Sequence, residues 1–213
     1  MKMLCFDMDL TLVRSNKLHL TAFKKAFVKN GLRKVTTKEL LPIFSQESYT
    51  IIKILFPHLS NKEIKKIGLD HRNYAIRLAK DYVTTIQGAK GVLKKLKPHY
   101  KIAILSNCSH NEINSILKAA NIDKKIFDLI IGADEVKHSK PYPDEIFKAE
   151  RLLKINDGYM IGDSIYDIMA GKKAKVKTIG IVSGNHTRKE LLKHKPTKVF
   201  NKITELPKYL LKK

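Results

Sequence analysis

Cysteine is scarce in this chain, with Cys5 and Cys108 the only two among 213 residues. They show neither the paired spacing of a metal-binding motif nor the framework of a disulfide scaffold. The scarcity predicts a cytoplasmic protein with free thiols. Cys5, inside an apolar run, reads as a small core residue. Long hydrophobic runs are missing too, and none approaches the ~20 residues of a membrane span. The apolar stretch at the N-terminus is cut by Asp7 and Asp9, which makes it a poor signal peptide. Internal repeats and low-complexity segments are absent. The eight histidines follow no metal-ligand spacing and read as surface or packing residues.

Acidic residues are also few, 20 against 42 Lys+Arg, and the formal net charge is +22. Such an excess invites a nucleic-acid reading. Its distribution argues against one, because it is spread along the chain without a concentrated stripe or tail. Only 6 of the basic residues are arginine, whose fork is favoured for reading phosphates and bases. A lysine-rich composition is therefore the preferred reading. With 43% hydrophobic and 29% charged residues, a globular fold with a substantial core is expected.

Three short apolar runs end in polar tips: MLCFD in Asp7, KIAILSN in Ser106 and Asn107, and YMIGD in Asp163. Two more, DLIIG (128–132) and VKTIGIV (176–182), have the same character, and all five read as buried parallel strands. Helical patterns lie between them at 111–120, 143–154 and 164–174. Alternation of this kind predicts βαβ units and an α/β fold, with a ligand crevice at the carboxyl ends of the strands. The connection from Val13 to Lys101 is far longer than a crossover needs. Residues 88–97 supply the crossover helix. The helical patterns at 18–31, 37–44, 47–56 and 61–86 predict an insertion that sits over the crevice as a lid.

The first tip, FDMDLTLV, poses a problem of its own. Asp7 and Asp9 stand two residues apart after a buried-looking strand, and like charges so close resist ionising together. Either the strand runs out into an acidic turn, or a cation and hydrogen bonds compensate the pair.

Four motifs in order decide between these: Asp7-Met8-Asp9-Leu10-Thr11, Ser106-Asn107, Lys140-Pro141-Tyr142-Pro143, and Gly162-Asp163-Ser164-Ile165-Tyr166-Asp167. With them the chain resembles the haloacid dehalogenase superfamily over essentially its whole length. It looks closest to the branch of phosphoglycolate phosphatases and β-phosphoglucomutases. The resemblance implies a Rossmann-like doubly wound parallel sheet, residues 1–14 and 86–213, with a helical cap at 15–85. It implies Asp7 as a nucleophile forming an aspartyl-phosphate. It makes Asp9 the acid and base, first for the leaving oxygen and then for water. Mg²⁺ would be held by Asp7, the backbone carbonyl of Asp9, and Asp163. Thr11, Ser106, Asn107 and Lys140 would bind the substrate, and Asp167 would orient Lys140 or a metal-bound water.

Asp9 narrows the chemistry further, because the dehalogenase and phosphonatase branches lack an aspartate there. The expected activity is hydrolysis of a small phosphate ester, phosphoglycolate-like or a sugar phosphate. Alternatives are a phosphomutase of the same family, or a nucleic-acid end-processing or nucleic-acid-binding protein using the basic charge. No membrane is expected as a partner, and the assembly is a monomer or homodimer. Three positions depart from the family pattern. Leu10 and Lys175 stand where glycine is usual, and Arg14 stands where many relatives are acidic. Arg14 is read as a supporting residue that could reach a distal anion on the substrate.

Overall fold

The structure is a computed structural model that describes residues 1 to 212. In chain order its first elements are β1 (Lys2–Phe6), β2 (Val13–Arg14), α1 (Asn16–Lys29), α2 (Thr37–Leu40), α3 (Ser48–Leu55), α4 (Asn61–Tyr82) and β3 (Thr84–Thr85). Then come α5 (Ala89–Leu96), β4 (Tyr100–Ser106), α6 (His110–Ala119), β5 (Leu129–Gly132), α7 (Asp144–Leu153), β6 (Gly158–Gly162) and α8 (Ile165–Lys173). The chain ends with β7 (Lys177–Ile181), α9 (Arg188–Lys193), β8 (Lys198–Phe200) and α10 (Leu206–Leu210). Six strands form one sheet in the order β5-β4-β1-β6-β7-β8, and every pairing is parallel.

The sheet is apolar on both faces because each face carries helices. Along β1, Leu4 and Phe6 point into one cluster with Leu93 of α5 and Ile113 and Ile116 of α6. Met3 and Cys5 point to the opposite side, where they meet Ile146 and Ala149 of α7 and Ala170 of α8. This two-residue alternation makes β1 a buried central strand. Its neighbours are β4 on one side and β6 on the other, so the strand order reverses around it. A crevice forms at such a switch point, beyond the carboxyl ends of the strands.

The segment between β2 and β3 has its own core, where Phe23 and Phe27 of α1 pack with Ile52 of α3 and Ile64 and Ile67 of α4. It leaves and re-enters at one place, because Val13–Arg14 pairs antiparallel with Thr84–Thr85. That pairing ends α4 at Tyr82, short of the helical pattern predicted to 86. Val83, Thr84 and Thr85 are β-branched, and the partner strand takes them over. The predicted helix at 37–44 is split into α2 and a 3-10 turn at Leu41–Ile43, where Pro42 removes a donor. The sixth strand, β8, is only three residues long and gave no readable run. Among the described residues no helix is long and apolar enough to cross a membrane.

Lys175 explains itself here. It follows α8 in the left-handed region at φ 59. Val176 N–H reaches Gly171 O at 3.0 Å and Lys175 N–H reaches Lys172 O at 3.0 Å. These two bonds are a Schellman closure, which favours glycine at this position. The helix therefore ends as a glycine would end it, with a lysine bearing the strain. Strain of about 1–2 kcal/mol is relieved in Lys175→Gly, and the looser unfolded chain takes back about half of it. Lys175 is exposed, so little packing is lost. Urea unfolding is expected to show a gain of about 0.5–1 kcal/mol, and a loss of stability would mean the left-handed turn carries no strain.

Candidate active site

Three strand tips meet at the crevice. Asp7 follows β1, Ser106 ends β4, and Asp163 follows β6. The Asp7 N–H donates to Ile161 O at 2.8 Å, which ties the tip of β1 to β6. Lys140 enters from the loop between β5 and α7, and its ammonium is buried at 3% exposure. Its Nζ donates to Asp7 Oδ1 at 2.6 Å, to Leu105 O at 2.8 Å and to Asp167 Oδ1 at 2.8 Å. Three donors thus have three acceptors, the full capacity of an ammonium.

Asp167 is held by the start of α8. Its Oδ2 accepts from Ser164 N–H at 3.0 Å and Ser164 Oγ at 2.6 Å, while Ser164 Oγ accepts from Asp167 N–H. This reciprocal cap fixes the Asp167 carboxylate. Gly162 makes room for it, since a Cβ there would run into that carboxylate.

Asp7, Asp163 and Asp167 each bring a carboxylate oxygen into one cluster within 4.8 Å. One ammonium serves the cluster, bonded to Asp7 and Asp167. Burial, and then the neighbouring carboxylates, push Asp7 up to about 8 although Lys140 pulls it down. Burial, Asp7 and Asp167 likewise raise Asp163 well above the ordinary carboxylate range. Lys140 is raised despite burial, because Asp167 and Asp7 hold its proton. Asp163 Oδ1 accepts from Thr11 Oγ1 at 3.3 Å, but its buried Oδ2 has no hydrogen-bond partner. An orphaned carboxylate oxygen, excess negative charge and an all-oxygen donor set fit a hard divalent cation such as Mg²⁺.

Asp9 is turned elsewhere. Its Oδ1 accepts from Ser15 Oγ and lies 3.2 Å from His19 Nε2, and its Oδ2 is 3.2 Å from Cys108 Sγ. Burial raises its pKa, but the His19 charge and the bonds from His19, Ser15 and Cys108 prevail and hold it at about 2. His19 is pulled down by burial and up by Asp9, with a net rise. Behind it, His71 Nε2 lies 3.4 Å from His19 Nδ1. Burial, His19 and Arg72 push His71 well below its ordinary value, so it is neutral.

The sequence reads the histidines as surface or packing residues. His71 does pack, its ring stacked on Phe23 at 3.9 Å, but it and His19 also line the cleft beside Asp9 and Cys108. No spacing could have revealed them, because α1 and α4 bring the histidines to Asp9 only through the fold.

The remaining candidates divide. Ser106 is buried at the cleft, and its Oγ accepts from Cys108 N–H at 3.2 Å. Thr11 stands behind Asp163 rather than on the cleft wall. Asn107 Nδ2 donates to Ser45 O at 2.9 Å and to Lys140 O at 3.1 Å, joining the inserted segment to the lysine loop. Arg14 does not reach this cleft. It is exposed on β2 and lines a separate cavity with Gln87, Ser183 and Asn201. The wall contributed by the inserted segment consists of Phe23, Phe44, Ser45, Gln46, Ser48 and Ile51, joined by the two histidines. Among the described residues lining the cleft, Lys140 is the one Lys or Arg.

The comparisons with known proteins agree with this architecture. The family described as haloacid dehalogenase-like hydrolase matches residues 4–181. A pyrophosphatase, PpaX of Listeria monocytogenes serotype 4a, is 30% identical, the match covering 95% of this chain and 93% of that protein. Among solved structures, a hydrolase from Pseudomonas syringae has a TM-score of 0.86 at 23% identity, covering 98% of this chain and 97% of that one. CbbY from Rhodobacter sphaeroides, in complex with phosphate, has a TM-score of 0.87 at 20% identity, with 96% of each chain covered.

The carboxylate cluster has a stability signature when divalent cations are chelated. Asp7 titrates near 8 folded and near the ordinary value of about 4 unfolded. Between these values the folded state holds more protons, so stability declines as pH rises through the window. In EDTA, the Tm is expected to fall from about pH 5 to about pH 8, and added Mg²⁺ should remove most of that fall. A Tm insensitive to pH across this range would mean the cluster does not retain its proton.

Proposed function

The chain belongs to the haloacid dehalogenase-like hydrolases, and from that premise we propose that it is a Mg²⁺-dependent phosphatase working through an aspartyl-phosphate on Asp7. The observation that carries the reading is the position of the Asp7 carboxylate. It accepts from the buried Lys140 ammonium, shares a carboxylate cluster with Asp163, whose Oδ2 is unpaired, and lines the crevice. The proposed division is a catalytic core at 1–14 and 86–213 with a cap at 15–85. The free thiols of Cys5 and Cys108 support a cytoplasmic setting.

Asp7, Asp163 and the backbone carbonyl of Asp9 would hold the Mg²⁺. When bound, it supplies the positive charge that lets an anionic nucleophile approach an anionic phosphoryl group. The carboxylate of Asp7 attacks phosphorus, and the bond to the leaving oxygen breaks as the new P–O bond forms. Lys140 holds Asp7 in place and presents charge to the phosphoryl oxygens, with Asp167 orienting it. Ser106 offers a hydroxyl to the same group.

The leaving oxygen needs a proton. Asp9 alone, held at about 2, has none to give. The proton resides on His19, whose Nε2 is 3.2 Å from Asp9 Oδ1, so the pair acts as one acid. After the alcohol departs, Asp9 is the base that takes a proton from the attacking water.

The leaving group is best read as uncharged. The inserted segment presents aromatic, amide, hydroxyl and aliphatic groups, and Lys140 is already committed to the reacting phosphoryl. A second phosphate would meet no Lys or Arg of its own there, and the His19 charge is already paired with Asp9. This favours a sugar phosphate or similar ester over pyrophosphate, although the Listeria relative is called a pyrophosphatase. Phosphate release from a panel of sugar phosphates, phosphoglycolate and pyrophosphate tests this, and preference for pyrophosphate would refute it.

Two variants test the chemistry. Asp7→Asn is nearly isosteric and cannot attack, so turnover is expected to vanish with the fold retained. Near wild-type activity, with deamidation excluded by mass spectrometry, would remove the nucleophile. His19→Asn should lower kcat/KM for an alkyl phosphate about 10²-fold, the scale of a lost general acid. It should barely affect p-nitrophenyl phosphate, whose leaving group needs no proton. Equal losses on both substrates would show that His19 only supports the structure.

A further inference from the structure

Hydrolysis uses Asp9 and His19 but gives no role to Cys108 beside them, and the three together make a ligand set. Asp9 Oδ1 and His19 Nε2 are 3.2 Å apart, Asp9 Oδ2 and Cys108 Sγ 3.2 Å, and His19 Nε2 and Cys108 Sγ 3.8 Å. A tetrahedral ion bound at about 2.0 Å to N and O and about 2.3 Å to S sets its ligands roughly 3.3–3.5 Å apart. The short contacts to Asp9 use its two different oxygens, but one ligand atom from each residue lies within 4.8 Å of the others, so small side-chain rotations would bring the three onto one face of such a tetrahedron. All three line the cleft, so a fourth position faces the substrate space.

We propose that Asp9, His19 and Cys108 are a second metal site, selective for a borderline transition ion such as Zn²⁺, whose occupation switches the enzyme off. Ligand chemistry separates it from the first site. Asp7, Asp163 and Asp167 offer only hard oxygens, whereas this set has a sulfur, an imidazole and one carboxylate. Thiolate, carboxylate and neutral imidazole together carry two negative charges, matching a dication.

The surroundings are built for it. A ligating histidine needs its other ring nitrogen to donate to a fixed acceptor. Nδ1 of His19 faces Nε2 of His71 at 3.4 Å. His71 is 4% exposed, and its own Nδ1 is buried without a hydrogen-bond partner. The nearest carboxylate, Glu112 Oε1, is at 3.8 Å, an ion-pair distance too long for a hydrogen bond. A neutral His71 carrying its proton on Nδ1, toward Glu112, leaves Nε2 free to accept from His19. The chain Glu112–His71–His19 then directs the His19 Nε2 lone pair at the ion.

Binding is a proton exchange. The ion displaces the Nε2 proton of His19 and the thiol proton of Cys108, and both go to solvent. Asp9 gives up its bonds to Ser15 and His19 for a bond to the metal. Burial, and then the negative field of Asp9 and Glu112, holds the thiol protonated in the free protein, and the same field attracts the dication. With Asp9 and His19 both ligated, neither proton donor nor base remains. The inhibition rests on the phosphatase reading, whereas the site itself does not.

Cobalt(II) separates the two, since a thiolate ligand gives it a charge-transfer band in the near ultraviolet. The chelator-treated full chain, in excess Mg²⁺, is titrated with Co²⁺. One equivalent is expected to raise the band in the wild type. Cys108→Ser should abolish it, and His19→Asn should weaken Co²⁺ binding by at least ~10-fold. Circular dichroism establishes that both variants are folded. No band in the wild type, or a band surviving in Cys108→Ser, overturns the site, Cys5 being the only other thiol.

The inhibition is read against each variant's own Zn²⁺-free rate. The half-inhibitory Zn²⁺ concentration should rise at least ~10-fold in Cys108→Ser. Equal inhibition of wild type and variant would place the ion at the Asp7 cluster and overturn the switch. A cobalt band in a chain that hydrolyses no phosphate ester would sink the phosphatase reading and leave the site standing.

Discussion

The Lys140 ammonium is the constraint on which the crevice depends. Its three acceptors belong to the tip of β1, the backbone of β4 and the first turn of α8. A buried ammonium is costly to desolvate and holds its place only when every donor is matched. Here the matching acceptors come from separate parts of the sheet's edge, so the ion fixes their mutual positions. The same contacts leave three buried carboxylates with one cation. That imbalance raises Asp7 and Asp163, and it creates the orphaned Asp163 oxygen that suits a divalent ion. Structure and candidate chemistry thus follow from one unequal count of charges.

A second consequence concerns the protein's overall charge. The chain carries +22, yet its cleft is acidic at the centre and its only lining Lys or Arg among the described residues is Lys140. The lysines are dispersed over the surface, where they give a positive field without forming a binding stripe. Such a field attracts small anions over distances comparable to the Debye length. The acidic centre would repel the same anions unless a cation filled it. Bulk charge and local charge are therefore complementary only with the divalent site occupied.

What was legible in the sequence was whatever depends on short-range pattern. The apolar runs before Asp7, Ser106 and Asp163 predicted β1, β4 and β6, and these are adjacent in the sheet. Alternating helices predicted the parallel arrangement, and the over-long connection predicted a helical insertion. β8 could not be read, because three residues hold too little pattern against the pull of β7. His19 and His71 could not be read either. They lie 52 positions apart on different helices, and only the α1–α4 packing stacks their rings at 5.5 Å. Arg14 is near Asp9 in sequence, but on β2 it pairs with Thr84 and lines a separate cavity with Gln87 and Asn201, a placement the sequence spacing does not contain.

The same packing divides the proton chemistry between two parts of the molecule. Asp9 belongs to the loop after β1, while its partner His19 lies in the first turn of α1, in the inserted segment. Cys108 and Glu112 approach from the β4–α6 side. The carboxylate is held at about 2 chiefly by His19, so its proton affinity depends on where α1 sits. Asn107 holds the same segment down through the Ser45 carbonyl, and Ser139 does so through Glu47 at 3.3 Å. These polar contacts supplement a larger apolar one, because Leu18 and Ala22 of α1 and Ala75 and Ala79 of α4 share a buried cluster with Ile113, Ile116 and Leu117 of α6. His19 therefore reaches Asp9 across a packed interface rather than through two hydrogen bonds. The carboxylate comes from a loop of the sheet and its proton partner from an inserted helix, so the proton chemistry depends on the packing that joins the two.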